Sequence, residues 1–98
     1  MVTLVTSPAM REKLTTKHRV QEQEIEECFL EHEGKYLVDT REEHNTDPPT
    51  MWFIGRTYRG RLLKIIFVHR DGNIYIKSAY EPTEAVIRIY KELNNSEE

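Results

Sequence analysis

The sequence predicts a small α+β domain in which an antiparallel sheet of four to five strands packs against two N-terminal helices and one C-terminal helix. First, residues 51–80 are rich in β-branched and aromatic side chains that alternate with polar ones, as in strands. Second, Arg59-Gly60 and Asp71-Gly72 divide this stretch at positions typical of tight hairpin turns. Third, helix starts that contain proline lie on both sides of it. Together these features predict the order β-α-α-β-β-β-β-α.

Length and composition are those of one small domain spanning residues 1–98. Hydrophobic residues make up 38% and charged residues 32% of the chain, and no apolar run approaches the roughly 20 residues that cross a bilayer. The N-terminus does not combine a basic region with a long apolar run, so we expect a cytoplasmic protein without membrane association. The single cysteine, Cys28, is expected to be a small buried apolar residue.

Capping patterns predict the first two helices. Ser7-Pro8 combines a hydroxyl N-cap with proline at the first helical position, and this helix should run to about Thr16. Gln21 is a weaker cap for the second helix. One face of the second helix is apolar at helical spacing, with Ile25, Cys28, Phe29 and His32. The other is acidic, and we expect a solvated face rather than catalytic carboxylates: Glu22, Glu24, Glu26, Glu27 and Glu31.

The remaining elements are shorter or terminal. Residues 2–6 are a candidate edge strand, and residues 36–39 are a second short strand. Glu81-Pro82 is expected to open the last helix, with proline at its first position. Residues 94–98 are expected to fray. The apolar stripe of this helix consists of Val86, Ile89, Tyr90 and Leu93.

Two-residue turns at both glycine pairs would fix the strand register. The first hairpin then pairs Trp52 with Phe67, Ile54 with Ile65, and Arg56 with Leu63; the second pairs Phe67 with Ile76, Ile65 with Ser78, and Leu63 with Tyr80. Alternation assigns the core face to Trp52, Ile54, Leu63, Ile65, Phe67, Ile74 and Ile76. The other face mixes apolar and basic groups: Phe53, Gly55, Leu62, Lys64, Ile66, Val68, Tyr75, Lys77 and Ala79. The last helix, a partner, or a ligand are the three candidates to cover it.

The net charge of −3 conceals an uneven charge distribution along the chain. The segments 1–20 and 51–80 together carry +8, whereas 21–48 and 81–98 together carry −11. If the two basic segments share a face, that face can bind a polyanion despite the acidic total. A solvated surface of mixed charge is the alternative.

The chain carries no motif for a phosphate-binding loop, a dinucleotide, zinc or a catalytic nucleophile, and no cofactor is predicted. Asp39, His44 and Asp47 lie close in the chain, but their spacing matches no metal motif, so no metal site is predicted. Basic and aromatic side chains remain. Cleavage of RNA without a metal needs a base for the 2′-hydroxyl, an acid for the leaving oxygen, and cations for the phosphorane. Histidine, lysine, arginine and tyrosine can fill these roles, and tyrosine can stack on an unpaired base.

Several short motifs resemble the BrnT toxins, small proteins of the RelE-like ribonuclease superfamily. Lys17-His18-Arg19-Val20, followed by the acidic helix, resembles the KHGV-x-x-EE opening of that family. Across residues 17–90 the other matching segments follow in the family's order: Phe53-Ile54-Gly55-Arg56, Gly60-Arg61-Leu62-Leu63, Ser78-Ala79 and Tyr90. The resemblance implies a RelE/BrnT-like fold and a metal-independent mRNA endoribonuclease of a toxin–antitoxin pair. It also implies a DNA-binding antitoxin as the partner.

The resemblance implies catalytic roles for Lys17, His18, Arg56 and Arg70, with Arg56 stabilising phosphate and Arg70 beside it at the end of the long strand. The side chains expected to bind RNA are Arg59, Arg61, Lys64, Tyr75, Lys77 and Tyr80. Two of this chain's departures from the family concern Tyr80 and Val86. Tyr80 stands where the family tends to have arginine after Ser-Ala, and Val86 stands where it often has glutamate.

A non-catalytic interaction module on the same scaffold is the alternative function. The acidic total and the missing arginine favour it. The second sheet face is expected to supply its apolar patch, for a protein partner or a second copy of the chain, through Phe53, Ile66, Val68 and Tyr75.

Overall fold

The computed structural model describes residues 3–32, 34–39 and 48–95. The elements within them are β1 (Thr3–Val5), α1 (Pro8–Lys17), α2 (Glu22–Glu31), β2 (Leu37–Val38), β3 (Thr50–Arg56), β4 (Leu62–Arg70), β5 (Asn73–Tyr80) and α3 (Glu84–Asn95). The strands form one sheet in the order β1-β5-β4-β3-β2. The predicted α+β class and the order of the elements are confirmed.

The sheet is mixed rather than antiparallel throughout. β1 lies parallel to β5, with Leu4 opposite Ile74 and Val5 opposite Tyr75. The other described strand pairs are antiparallel. Two helices and three strands separate β1 from β5 in the chain, which leaves ample length for the crossover that parallel neighbours need.

The first two helices begin where their caps predict. Ser7 Oγ accepts a hydrogen bond of 3.1 Å from the Met10 N–H, so the hydroxyl cap of α1 is confirmed. Gln21 precedes α2, and its N–H donates to Glu24 Oε1 at 3.0 Å. This is the glutamate half of a capping box, and it fixes the start of the acidic helix.

The β3–β4 hairpin has a loop of three residues, not two. The Gly60 N–H donates to the Thr57 carbonyl at 2.9 Å, and the Thr57 N–H donates to the Arg61 carbonyl at 2.9 Å. Gly60 has a φ of 86°, whereas the φ of Arg59 is not positive. A type I′ turn needs positive φ at both central residues, so Arg59-Gly60 is not such a turn.

The longer loop shifts the β3–β4 register by one residue. Each β3 side chain therefore lies on the face opposite to the one expected. The pairs are Trp52–Ile66, Ile54–Lys64 and Arg56–Leu62, and the expected pairs Trp52–Phe67, Ile54–Ile65 and Arg56–Leu63 are wrong. Because strand side chains alternate, a shift of one residue moves each of them to the opposite face relative to its neighbours. Trp52 and Ile54 therefore lie with Ile66, and Phe53 lies with Ile65.

The β4–β5 hairpin has the predicted two-residue turn. Asp71 and Gly72 have φ values of 52° and 81°, as type I′ geometry requires. Arg70 pairs with Asn73 across the turn. The hairpin therefore starts in the expected register.

A β-bulge then shifts this register. Phe67 pairs with Ile76 as expected, but Ile66 pairs with Ser78, so Lys77 is the extra residue of β5. Beyond the bulge, the expected pairs Ile65–Ser78 and Leu63–Tyr80 are wrong. The observed pairs there are Ile65–Ala79 and Lys64–Tyr80.

Helices α1 and α2 cover what we call the first face of the sheet. The main core lies between them and the sheet: Leu14, Val20, Ile25, Cys28, Phe53, Leu63, Ile65, Phe67, Ile76 and Ala79. Cys28 is fully buried, as expected. Phe53 and Ala79, expected on the other face, belong to this core. Gly55 is also on this side: a Cβ on it would lie 2.5 Å from the Cys28 Cβ, so α2 approaches β3 closely there.

Helix α3 covers part of the opposite face, which we call the second face. Val86, Ile87 and Tyr90 pack against a cluster formed by Trp52, Ile54 and Ile66. Of the three candidates to cover this face, the chain's own last helix is the one observed.

The start of α3 differs from the prediction. Helix α3 begins at Glu84 rather than at Pro82. The Val86 N–H donates to Thr83 Oγ1 at 3.3 Å, so Thr83 takes the capping position.

Candidate nucleic-acid interface

Five basic and aromatic side chains lie along the second face of the sheet, on the part formed by β4 and β5. We call them the basic strip: Lys64, Arg70, Tyr75, Lys77 and Tyr80. Directly opposed residues share a face, and Lys64 lies opposite Tyr80 while Val68 lies opposite Tyr75. The bulge at Lys77 brings Tyr80 to this face, because regular alternation from Tyr75 would place it on the first.

One end of the basic strip carries a histidine from outside the sheet. His18 follows the last residue of α1, and its ring centroid lies 5.5 Å from that of Tyr80. Lys64 Nζ lies 4.6 Å from the Trp52 ring centroid and 6.0 Å from that of Tyr80. An imidazole and an ammonium group are therefore close to the same tyrosine ring.

The environment of His18 favours its neutral form. Burial lowers the pKa of the imidazole below 6.5, and the positive charges of Lys17 and Lys13 lower it further. A neutral imidazole can accept a proton at physiological pH, which is what a general base has to do.

The other end of the basic strip forms a notch. This cavity of about 180 Å³ is lined by Pro48, Val68, Arg70, Tyr75 and Lys77. Val68 is 6% exposed and forms an apolar floor. Arg70 and Lys77 are exposed, and neither makes an ion pair with a residue that the structure describes. A half-buried tyrosine ring thus lies beside two available positive charges.

The four residues expected to be catalytic do not meet at one point. Lys17 and His18 are neighbours, but Arg56 pairs with the first residue of β4 while Arg70 is its last. Those two places are eight positions apart along the strand, a distance of about 26 Å at roughly 3.3 Å per residue. Arg56 and Arg70 therefore cannot contact the same phosphate group, and Arg56 lies instead at a shallow depression with Glu31 and Tyr58.

Arg61, expected to bind RNA, is occupied by contacts within the chain. Its Nη1 lies 3.0 Å from Glu24 Oε2 and 2.8 Å from the Arg19 carbonyl, its Nε lies 2.7 Å from Glu81 Oε2, and its Nη2 lies 3.3 Å from the His18 carbonyl. These contacts join the α1–α2 connection, α2 and the segment after β5. Burial opposes its charge, but the two glutamates hold the pKa of the guanidinium above its usual value.

Two glutamates on the acidic face of α2 make contacts within the chain, whereas the sequence predicts a solvated face. Glu27 is 8% exposed, and it accepts hydrogen bonds from the Tyr58 N–H at 2.9 Å and from Gln23 Nε2 at 3.0 Å. Glu24 binds Arg61. Both glutamates thus hold the β3–β4 loop, while Arg59 at the tip of that loop stays exposed.

The apolar patch expected on the second face is not exposed. Phe53 is fully buried on the first face, Ile66 is 3% exposed, and Val68 is 6% exposed. Of the four residues of that patch, Tyr75 is the one that remains half-exposed. The observation that favoured docking of a protein or a second copy at this face is therefore missing.

No group of three or more histidine, cysteine, aspartate or glutamate side chains is arranged to hold a metal within the described residues. Asp39 is described and nearly buried, while His44 and Asp47 lie outside the described residues. None of the helices in the described part of the chain has the length and apolar character to span a bilayer.

No protein-family model, no curated protein and no solved structure matches this chain, so a proposal about its function has to rest on its own residues and geometry.

Proposed function

We propose that the chain binds RNA along the basic strip and cleaves it at the end where His18 lies, as a small ribonuclease toxin. The observation that carries the proposal is the meeting of His18, Tyr80 and Lys64 at one end of a face whose other end carries Arg70 and Lys77. Phosphate groups need cations along their path, and this face supplies them at both ends. The resemblance to the BrnT toxins makes a DNA-binding antitoxin the proposed protein partner.

The proposed reaction is an attack of the 2′-hydroxyl on the adjacent phosphorus. His18 accepts the 2′-hydroxyl proton while the bond between the 2′-oxygen and phosphorus forms. The bond from phosphorus to the 5′-oxygen breaks, and that oxygen takes a proton from the ammonium group of Lys17. Lys64 stabilises the negative charge of the phosphorane. The products are a 2′,3′-cyclic phosphate and a 5′-hydroxyl. Side chains supply every proton and charge that this route needs.

The backbone at Arg19 supports the alignment with the KHGV motif. Arg19 has a φ of 55°, a left-handed conformation that costs a residue with a side chain about 1–2 kcal/mol. The family has glycine at this position, and glycine adopts this conformation at no steric cost. The motif and the backbone therefore agree at the residue that follows His18.

Cleavage of a defined oligonucleotide tests the proposal. We expect the full chain to cleave single-stranded RNA in the presence of excess EDTA and to leave a 2′,3′-cyclic phosphate, which mass spectrometry identifies. A matched oligonucleotide with deoxyribose at every position lacks the attacking hydroxyl and should stay intact. Cleavage of both molecules, or of neither, contradicts the proposal.

A further inference from the structure

The notch at the far end of the basic strip has the features of a subsite for one nucleotide. Tyr75 supplies an aromatic face, and Val68 supplies a buried apolar floor. Arg70 and Lys77 flank the ring with positive charges that no described residue neutralises. An aromatic ring between unpaired cations is the combination that binds an unstacked base together with its phosphates.

The bulge in β5 places this subsite. Lys77 is the extra residue of the bulge. Tyr75 precedes the bulge and pairs with Val68, whereas Tyr80 follows it and pairs with Lys64. Bulges frequently re-aim side chains next to functional sites. Here the bulge puts the notch and the His18 end on the same face, at two distinct places along one strand.

The two places are too far apart to serve one nucleotide. Tyr75 and Tyr80 are five residues apart, which corresponds to about 16 Å along β5. A base stacked on Tyr75 therefore belongs to a nucleotide beyond those that flank a cut next to His18.

We propose that the notch selects single-stranded nucleic acid by stacking one unpaired base on Tyr75, with Arg70 and Lys77 holding the adjoining phosphates. A base inside a duplex is already stacked and paired, so its face is not accessible to Tyr75. The inference rests on the proposed function for its ligand class, but it concerns binding and not cleavage.

Fluorescence anisotropy with an eight-nucleotide single-stranded DNA, which lacks the 2′-hydroxyl, tests binding alone. We expect Tyr75→Ala to weaken binding about 5- to 150-fold, the range for loss of one stacked base. Tyr75→Phe keeps the ring and should bind like the natural chain. Tyr58→Ala is the matched control, because Tyr58 is an exposed tyrosine, 61% accessible, on the β3–β4 loop, and it does not line the notch. Thermal unfolding confirms that each variant is folded.

An abasic nucleotide identifies the stacked position. We expect one abasic substitution in the oligonucleotide to weaken binding to the natural chain and to have little further effect on Tyr75→Ala. A duplex of the same sequence should bind both proteins equally. Equal affinity of the natural chain and Tyr75→Ala for the single strand overturns the inference, and so does a natural chain that binds no single strand.

The result separates this inference from the proposed function. If binding depends on Tyr75 but RNA is not cleaved, the nucleotide subsite is supported and the proposed reaction is contradicted. If RNA is cleaved but binding does not depend on Tyr75, the proposed reaction is supported and the nucleotide subsite is contradicted.

Discussion

Replacement of His18 by glutamine is expected to slow RNA cleavage by about 100- to 10,000-fold, the usual contribution of a general base. Glutamine can still donate and accept hydrogen bonds but cannot take up a proton. His69→Gln is the matched control, because His69 is an exposed histidine of β4 on the side opposite the basic strip. The measurement is the single-turnover rate at saturating protein. Equal losses in the two variants, or no loss in His18→Gln, would contradict the role of His18.

The pH dependence of cleavage gives a second readout of the same residue. The pKa of His18 is lowered from 6.5 by burial and by Lys17 and Lys13. The active neutral form is therefore lost on acidification, and the rate should fall at a pH below 6.5 and stay level between pH 6.5 and neutral pH. Lys13→Ala removes one repulsive charge, so the pKa should rise and the fall should begin at a higher pH. A fall whose position does not respond to Lys13→Ala assigns the titration to another group.

Replacement of Arg61 by alanine is expected to reduce the free energy of unfolding by about 2–3 kcal/mol, since hydrogen bonds to charged groups contribute roughly 1.5–3 kcal/mol. Arg61 and Glu24 are about one-quarter exposed, so water replaces their contacts incompletely, whereas the pair with Glu81 is more exposed and contributes less. Loss of the guanidinium also leaves the His18 and Arg19 carbonyls without this donor.

Two further variants identify the cause of this destabilisation. Arg61→Lys keeps the charge but lacks the planar fork that reaches Glu24, Glu81 and two carbonyls together, so it should recover little of the loss. Arg59→Ala removes an exposed arginine two positions away and should change stability by less than about 0.5 kcal/mol. Chemical denaturation measures all three. An Arg61→Ala chain as stable as Arg59→Ala would show that the network contributes nothing.

Local signals predicted the helices because each cap acts within its own turn. Ser7 and Pro8 specify the start of α1 through one hydroxyl and one missing N–H. The predicted start of α3 is wrong because two start signals, Pro82 and Thr83, are adjacent. The hydroxyl of Thr83 caps the helix, so the helix begins after Thr83 and not at Pro82.

The strand register was less predictable, because a glycine marks a turn without giving its length. Asp71 tolerates the left-handed conformation that a two-residue type I′ turn requires, whereas Arg59 does not favour it. Preference for Asp-Gly over Arg-Gly was the available signal for the longer loop. The bulge at Lys77 had no local signal.

The candidate site was predictable in its residue types but not in its arrangement. Lys64, Tyr75 and Lys77 lie on the second face as expected. Tyr80 joins them because of the bulge. The internal role of Arg61 depends on Glu24 and Glu81, which are 37 and 20 residues away in the chain. Only the packing of α2 and the end of β5 against β4 brings these charges together.

The most direct test of the central claim, that nucleic acid lies along the basic strip, is chemical-shift mapping by NMR. The isotope-labelled chain is titrated with the eight-nucleotide single-stranded DNA. We expect the largest shifts at Lys64, Tyr75, Lys77 and Tyr80 and at the ring of His18, with little change at Glu26 and Leu30 on the exposed side of α2. Shifts centred on α2, or none at saturating DNA, would contradict the account.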